Sequence, residues 1–372
     1  MRSADVSTRA ETLLASVPKD SRIIEIGPSF NPIAPKSQGW NSATLDHLTQ
    51  EGLVEKYRTH PVVNVNMIEE VDFVWSGGKL TDAVPPDQHG SFDVFLASHV
   101  IEHTPDFIGF LDAAATLLRP NGLTILAVPD KRYCFDYFQQ ITTTGQVLDA
   151  HLKNRWRHTG ALAFDHFAYA VTESGAESWV QRPLRDLQLI HRLEDSHQKY
   201  RMFEDSPIYE DIHAWHFVPA SFELLLLELA RLGEIDWRVE RIAPTAGWEF
   251  FAWLRRGAIA DVQAMPEEVF NSNRVALLKR TLLETQAQID CLLASEPELT
   301  PTPSFTASHL AKSQEEVIDL RTRLATVEHN YAAAMQRVEA LEVSTVWRAS
   351  LPLRTLVDRV RRARARLTRS AR

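Results

Sequence analysis

The pattern of apolar and polar positions is clearest over residues 92–130, FDVFLASHVIEHTPDFIGFLDAAATLLRPNGLTILAVPD. An apolar run over 92–97 stops at Ser98, a polar cluster His99-Val100-Ile101-Glu102-His103 follows, and helical periodicity begins after it. Pro120-Asn121-Gly122 ends that helix, and a second apolar run closes at Pro129-Asp130. Strand, helix and strand in this order predict a βαβ unit. Its polar residues stand where the first strand ends, the edge at which open α/β sheets bind ligands.

Weaker signals flank this unit. Residues 8–17 have faint helical periodicity and end before Pro18. Arg22-Ile23-Ile24-Glu25-Ile26-Gly27-Pro28 reads as a short strand running into a turn. Ala43-Thr44-Leu45-Asp46 reads as a second strand, its terminal acid nineteen residues after Gly27. At that spacing a carboxylate reaches a ribose diol in nucleotide-binding sheets. Val71-Asp72-Phe73-Val74 adds a third short strand and a third acid. Residues 131–212 are rich in His, Arg and aromatic side chains, with helices expected near 135–152 and 175–193. An amphipathic helix is predicted over 219–232, then a strand pair over 235–242 and 248–254.

Beyond 256 the pattern predicts a separable arm: a helix to about 296, a Pro- and Thr-rich linker to 304, and a coiled coil over 305–345. Val317, Leu320, Leu324, Val327, Tyr331, Ala334, Val338 and Leu341 keep a strict 3-4 spacing, the mark of a coiled-coil seam. With Val317 at position a, the pairs Glu316–Arg321, Arg323–Glu328 and Arg337–Glu342 are attractive in a parallel arrangement. A parallel homo-oligomer through 310–341 is therefore expected.

Charge sharpens this division. The 372-residue chain carries −9, but 347–372 holds nine Arg and one acid, so this tail is +8 and the remainder −17. An acidic body argues against nucleic acid as partner. The tail is a basic amphipathic stretch suited to an anionic membrane surface, or to the acidic body itself. Cys134 and Cys291 have no metal-ligand spacing, and no metal ligand is assigned from the sequence. No signal-peptide core opens the chain and no run approaches eighteen apolar residues. A cytoplasmic protein is expected, held peripherally at the inner membrane if the tail binds there.

Strand-E-x-G, a strand-end acid, a strand followed by an E-H pair, L-R-P-x-G and a closing strand together resemble class I S-adenosylmethionine (SAM) methyltransferases. Those associated with bacterial cell-surface polysaccharide biosynthesis are the most similar. The resemblance spans roughly residues 20–256. It implies an α/β fold: a Rossmann-like seven-stranded sheet with an inserted helical lid over 131–218 for the acceptor, all within a methyltransferase domain over 1–256. It implies SAM as cofactor, with Glu25, Gly27, Pro28, Asp46, Asp72, Ser98 and His99 as its candidate contacts. Ser29 and Asn31 stand where the family carries two further glycines. On the acceptor side His103, Glu102 and His166 are the catalytic candidates, His103 as first choice of general base, with His213 behind. The implied reaction is methylation of a glycan hydroxyl or its lipid-linked precursor. Another small-molecule or lipid acceptor, or a non-catalytic scaffold of the same fold, are the alternatives. The tail pattern from Ser344 to Arg354 is similar to tails of bacterial polysaccharide glycosyltransferases.

His99 to His103 also matches H-x-x-E-H, a zinc-peptidase motif that must sit within a helix. Here it follows a strand directly and precedes Pro105, which opposes that reading.

Overall fold

The computed structural model describes residues 3–295 except 62, 174, 178, 180–183, 185, 186, 207 and 208, and further on residues 322–325, 327 and 331. The chain divides into two units, Met1–Glu296 and Pro297–Arg372. In the second, the described residues are helical and expose Leu324, Val327 and Tyr331. The rest of the expected coiled coil, the linker over 297–304 and the basic tail over 346–372 lie outside the described residues.

The first unit begins with α1 (Ser3–Leu14), then β1 (Ile23–Ile26), β2 (Ser42–Asp46), α2 (Gln50–Tyr57), β3 (Phe73–Val74) and β4 (Phe92–Ser98). After α3 (Phe107–Leu117) comes β5 (Leu118–Pro129). An insertion follows, with α4 (Thr144–Leu152), α5 (Gly160–Tyr169), β6 (Val171–Glu173), β7 (Ala176–Glu177), β8 (Leu187–Leu189) and α6 (Leu193–Asp205). The unit closes with α7 (Pro219–Leu232), β9 (Trp237–Ala246), β10 (Glu249–Arg256), α8 (Ala258–Gln263) and α9 (Glu267–Ser295).

Seven strands form one sheet in the order β3-β2-β1-β4-β5-β10-β9. The first five run parallel, and β10 and β9 add an antiparallel hairpin at one end. Strand order reverses between β1 and β4, so their carboxyl ends flank the crevice where such sheets bind ligands.

Both faces of the sheet are covered, which is why β4 and β5 read as continuous apolar runs rather than alternating ones. On one face Leu13 and Leu14 of α1 pack with Ile23, Val94, Leu96, Ile125 and Trp253. On the other, Ile24, Phe95, Leu126 and Phe250 meet α3 and Phe222, Leu225 and Leu229 of α7. Local signals set the helix ends. Asp106 caps α3 by accepting from Gly109 N–H, while α7 starts at Pro219 and stops at Gly233, φ +81°.

Three expectations are corrected. Where a helix was predicted over 175–193, the described residues hold β7 and β8, which pair with β6 in a three-stranded sheet, and Gly175 takes φ +82° between β6 and β7. Pairing of Val171 with Leu189 across the chain outweighs the local helical spacing. The helix predicted over 135–152 starts only at Thr144, where Thr143 and Gln146 form a capping box. The domain does not stop at 256. Helix α9 buries Phe270 and Leu277. Arg231 of α7 donates to the carbonyls of Val262, Gln263 and Met265 and pairs with Glu267, while Arg280 pairs with Glu223.

Candidate active site

The crevice is built from the loops after β1, β2 and β4. Gly27 ends β1 with φ +62°, its N–H donating to Leu45 of β2. A Cβ there would stand 3.1 Å from Val100 Cγ2, so the β1 loop approaches the β4 loop as closely as a bare backbone allows. The next turn residue, Ser29, keeps a glycine-like φ of +50°, and its N–H donates to Asp46 Oδ2 at 2.8 Å. That bond holds a serine in a conformation that costs an L-residue roughly 1–2 kcal/mol. Pro28 sits between them, its carbonyl accepting from Asn31 N–H.

The three acids are placed differently from one another. Glu25 is buried, with one carboxylate oxygen accepting from Ile33 N–H and the other from Ala34 N–H. Burial pushes its carboxyl up to about 7, against those two bonds and the nearby Arg9. Glu25 thus shapes the loop that follows rather than facing the crevice. Asp46 is buried at the carboxyl end of β2; besides Ser29 it accepts from the N–H and Nδ1 of His47, whose side chain is partly exposed and covers it. Three donors leave one of a carboxylate's four acceptor positions unused. Asp72, the third candidate acid, precedes β3 rather than ending it; it accepts from Thr44 N–H and pairs with Lys36. Trp75 occupies the carboxyl end of β3 in its stead, its N–H donating to the carbonyl of Asp46.

At the end of β4 lies a constellation invisible in the sequence. Arg9, from α1, donates to both carboxylate oxygens of Glu249 and to Ser98 Oγ. His99, held at φ +54°, places Nε2 2.8 Å from Glu249. Glu249 starts β10 and, because that strand is antiparallel, lands beside Pro129 at the carboxyl edge of β5. Burial alone would raise its carboxyl; Arg9 and His99 hold it down at about 2.

Beyond His99 the chain makes a single 3-10 turn over Ile101–His103. The two histidines of the H-x-x-E-H match therefore do not share a helix face, which removes the peptidase reading. Glu102 is 1% exposed, and neither carboxylate oxygen has a hydrogen-bond partner. Its carbonyl accepts from the N–H groups of Ala214 and Trp215, which draws the segment before α7 against the turn. His213 arrives with it, its ring 4.5 Å from that of His103 in an edge-on pair. His103 Nδ1 lies 2.8 Å from Asp211, and His213 Nδ1 lies 2.6 Å from Asp136.

Burial would lower the His103 imidazole, but Asp211 and the charge of Glu102 carry it up to about 9. An imidazole raised in this way carries a proton at neutral pH rather than takes one, which argues against His103 as the first general base. His166 accepts from His213 N–H, and burial together with the neighbouring histidines lowers it to about 3. His158 is buried beside Tyr209 and lowered to about 4, by burial first and then by His103. Burial would raise Asp136, yet His213 and His216 keep it well below the usual carboxylate range. Phe135 and Trp179 close the cluster, their rings edge-on at 5.3 Å. Of the candidates, Gly27, Pro28, Asp46, Ser98 and His99 gather at one crevice, and Glu102, His103 and His166 at its far side. Arg9, Glu249, Asp136 and Asp211 were missed; each acts only through a partner distant in the chain.

Residues 5–191 match the family model described as a methyltransferase domain, which is half of the chain. The chain belongs to this methyltransferase family. It is a SAM-dependent enzyme, and the crevice fits that donor: a bare-backbone turn at Gly27, a strand-end acid at Asp46 and the open His99 edge. No curated protein matches the chain. Among solved structures it is similar to the PH0226 protein of Pyrococcus horikoshii (12% identity, 68% of this chain, 90% of that one, TM-score 0.36). It is also similar to a SAM-dependent methyltransferase from Mesorhizobium loti (12%, 68% and 100%, 0.34). A third is 1,6-didemethyltoxoflavin-N1-methyltransferase from Burkholderia thailandensis (12%, 68% and 79%, 0.32). Likeness at this level carries no argument about the acceptor.

Proposed function

We propose that this methyltransferase O-methylates a sugar hydroxyl of a bacterial surface glycan or of its lipid-linked precursor. One observation supports a hydroxylated acceptor above all: the segment that follows the carboxyl end of β4 enters a buried cluster of histidines and carboxylates around Glu102, rather than an apolar one. A sugar offers hydroxyls for such groups and C–H faces for the rings of Phe135 and Trp179.

SAM supplies the methyl group, on a positively charged sulfur. The protein's part is largely alignment, since a bound pair in line needs far less of the barrier crossed by chance encounter. Gly27, Pro28 and Asp46 would seat the nucleoside side, with Ser98 and His99 at the methionine side, pinned by Arg9 and Glu249. The acceptor proton must leave as the bond forms. His166, uncharged at neutral pH, would take it, although so low a basicity makes it a weak acceptor. Parallel self-association through 310–341 and contact of 347–372 with anionic membrane would bring the domain to lipid-linked sugars. Among the described residues no helix is long and apolar enough to cross a membrane.

The test is transfer from labelled SAM to surface oligosaccharides and their lipid-linked forms, with products read by mass. Gain of one methyl on a sugar oxygen, reduced in His166→Ala, is expected. Methylation of nitrogen, or of phospholipid in preference to saccharide, would overturn the proposal.

A further inference from the structure

The buried carboxylate of Glu102 has no use in methyl transfer as described so far. Its two oxygens are shielded from solvent and accept no hydrogen bond; the rings of His99 and His103 reach one of them only at 3.7 and 3.8 Å, which is costly for an ionisable group unless something binds there. One Glu102 oxygen and one nitrogen from each of His103 and His213 lie within 4.8 Å of one another. His103 Nε2 is 3.8 Å from the Glu102 oxygen.

The orientation of the two rings is the second observation. Each turns Nδ1 onto a carboxylate, His103 onto Asp211 and His213 onto Asp136, which leaves Nε2 as the free nitrogen of each. A carboxylate behind a histidine is the arrangement that fixes the ring and raises the basicity of a metal ligand. Asp136 is itself buried and braced by His216 at 3.5 Å, so the support is built rather than incidental.

We infer that Glu102, His103 and His213 form a binding site for a divalent cation of the zinc class. Two imidazoles and one carboxylate are a donor set that zinc(II) accepts with the fourth position open. Tetrahedral ligands about 2.1 Å from zinc stand about 3.4 Å apart, so closing the present triad asks for shifts of about an ångström. The cation sits at the proposed acceptor side, one turn from His99, where its open position meets water or an acceptor oxygen. A hydroxyl held there gives up its proton more readily, which deepens the proposed O-methylation. The site itself is read from the chain's own residues. Cation binding is measured without SAM or acceptor, so its failure and the failure of glycan methylation are separable.

The experiment uses the full chain, stripped by chelator dialysis and titrated with zinc(II) by calorimetry and with cobalt(II) by visible absorption. One ion per chain and the ligand-field bands of low-coordinate cobalt are expected. Glu102→Gln and His213→Gln should each weaken zinc(II) binding about 100-fold or more. Asp211→Asn, which spares the ligands and changes a side chain near the surface, should weaken it about 10-fold. His60→Gln, beside Phe30 and away from the cluster, should bind as wild type. Circular dichroism on every variant separates lost ligands from lost fold. Absence of cobalt bands in the folded wild type, or wild-type affinity in folded Glu102→Gln and Asp211→Asn, would overturn the assignment.

Discussion

Arg9→Ala tests whether the N-terminal helix is part of the site or merely covers it. The substitution leaves Glu249 buried, its side chain 4% exposed, with His99 as its remaining partner. Removing one member of a buried pair costs about 3–5 kcal/mol, because the other charge stays desolvated. A second route gives a similar figure. Glu249 is held at about 2 against the ordinary 4.5 of a glutamate. That difference is worth about 3 kcal/mol of stability near neutral pH, shared between Arg9 and His99. Arg9→Ala should therefore lose about 2–3 kcal/mol in urea unfolding at pH 7. The sign with pH follows from the depressed carboxyl: its contribution is full above about 4.5 and is lost as pH falls through about 2. Wild-type stability should decline across that window, and Arg9→Ala should decline less. Adding Glu249→Gln to Arg9→Ala should recover part of the loss, since no charge is then left unpaired. A loss under about 0.5 kcal/mol, with an unchanged acid limb, would refute the reasoning.

The cofactor crevice makes its own predictions. Gly27→Ala forces a Cβ against Val100 at φ +62° and should cost about 1–2 kcal/mol in thermal unfolding while weakening SAM binding by calorimetry. Asp46→Asn should lower SAM affinity about 10-fold, one good hydrogen bond to a charged acceptor, whereas Asp72→Asn should leave it within about twofold. Equal losses from the two would mean that the wrong end of β3 has been assigned. Truncation after residue 256 should strip Arg231 and Glu223 of α7 of their partners on α8 and α9, remove the buried Phe270 and Leu277, and abolish cooperative unfolding, while truncation after 296 should leave the melting temperature of the first unit in place. A stable product ending at 256 would restore the earlier boundary.

Elements with local causes were legible in the chain. The runs of β4 and β5, the stop at Pro120-Asn121-Gly122, and α7 between Pro219 and Gly233 follow from period, capping and turn chemistry within a few residues. The strand-end positions of Gly27 and Asp46 were legible for the same reason, because turn chemistry and spacing are written along the chain. Asp72 was misjudged because the pairing of β3 with β2, and not its own apolar neighbours, decides where that short strand begins. Residues 175–193 were misjudged likewise, since a hairpin is stabilised by partners that no helical window contains. The site itself belongs to tertiary structure. Arg9 meets Glu249 across 240 residues, and His103 meets His213 only because the carbonyl of Glu102 binds the backbone of Ala214 and Trp215. Charge placement works over ångströms in space, and a sequence records distance only along the chain. The residues named from 92–130 thus stand at a strand edge that the sequence predicts, while their partners were set by what the fold brought against them.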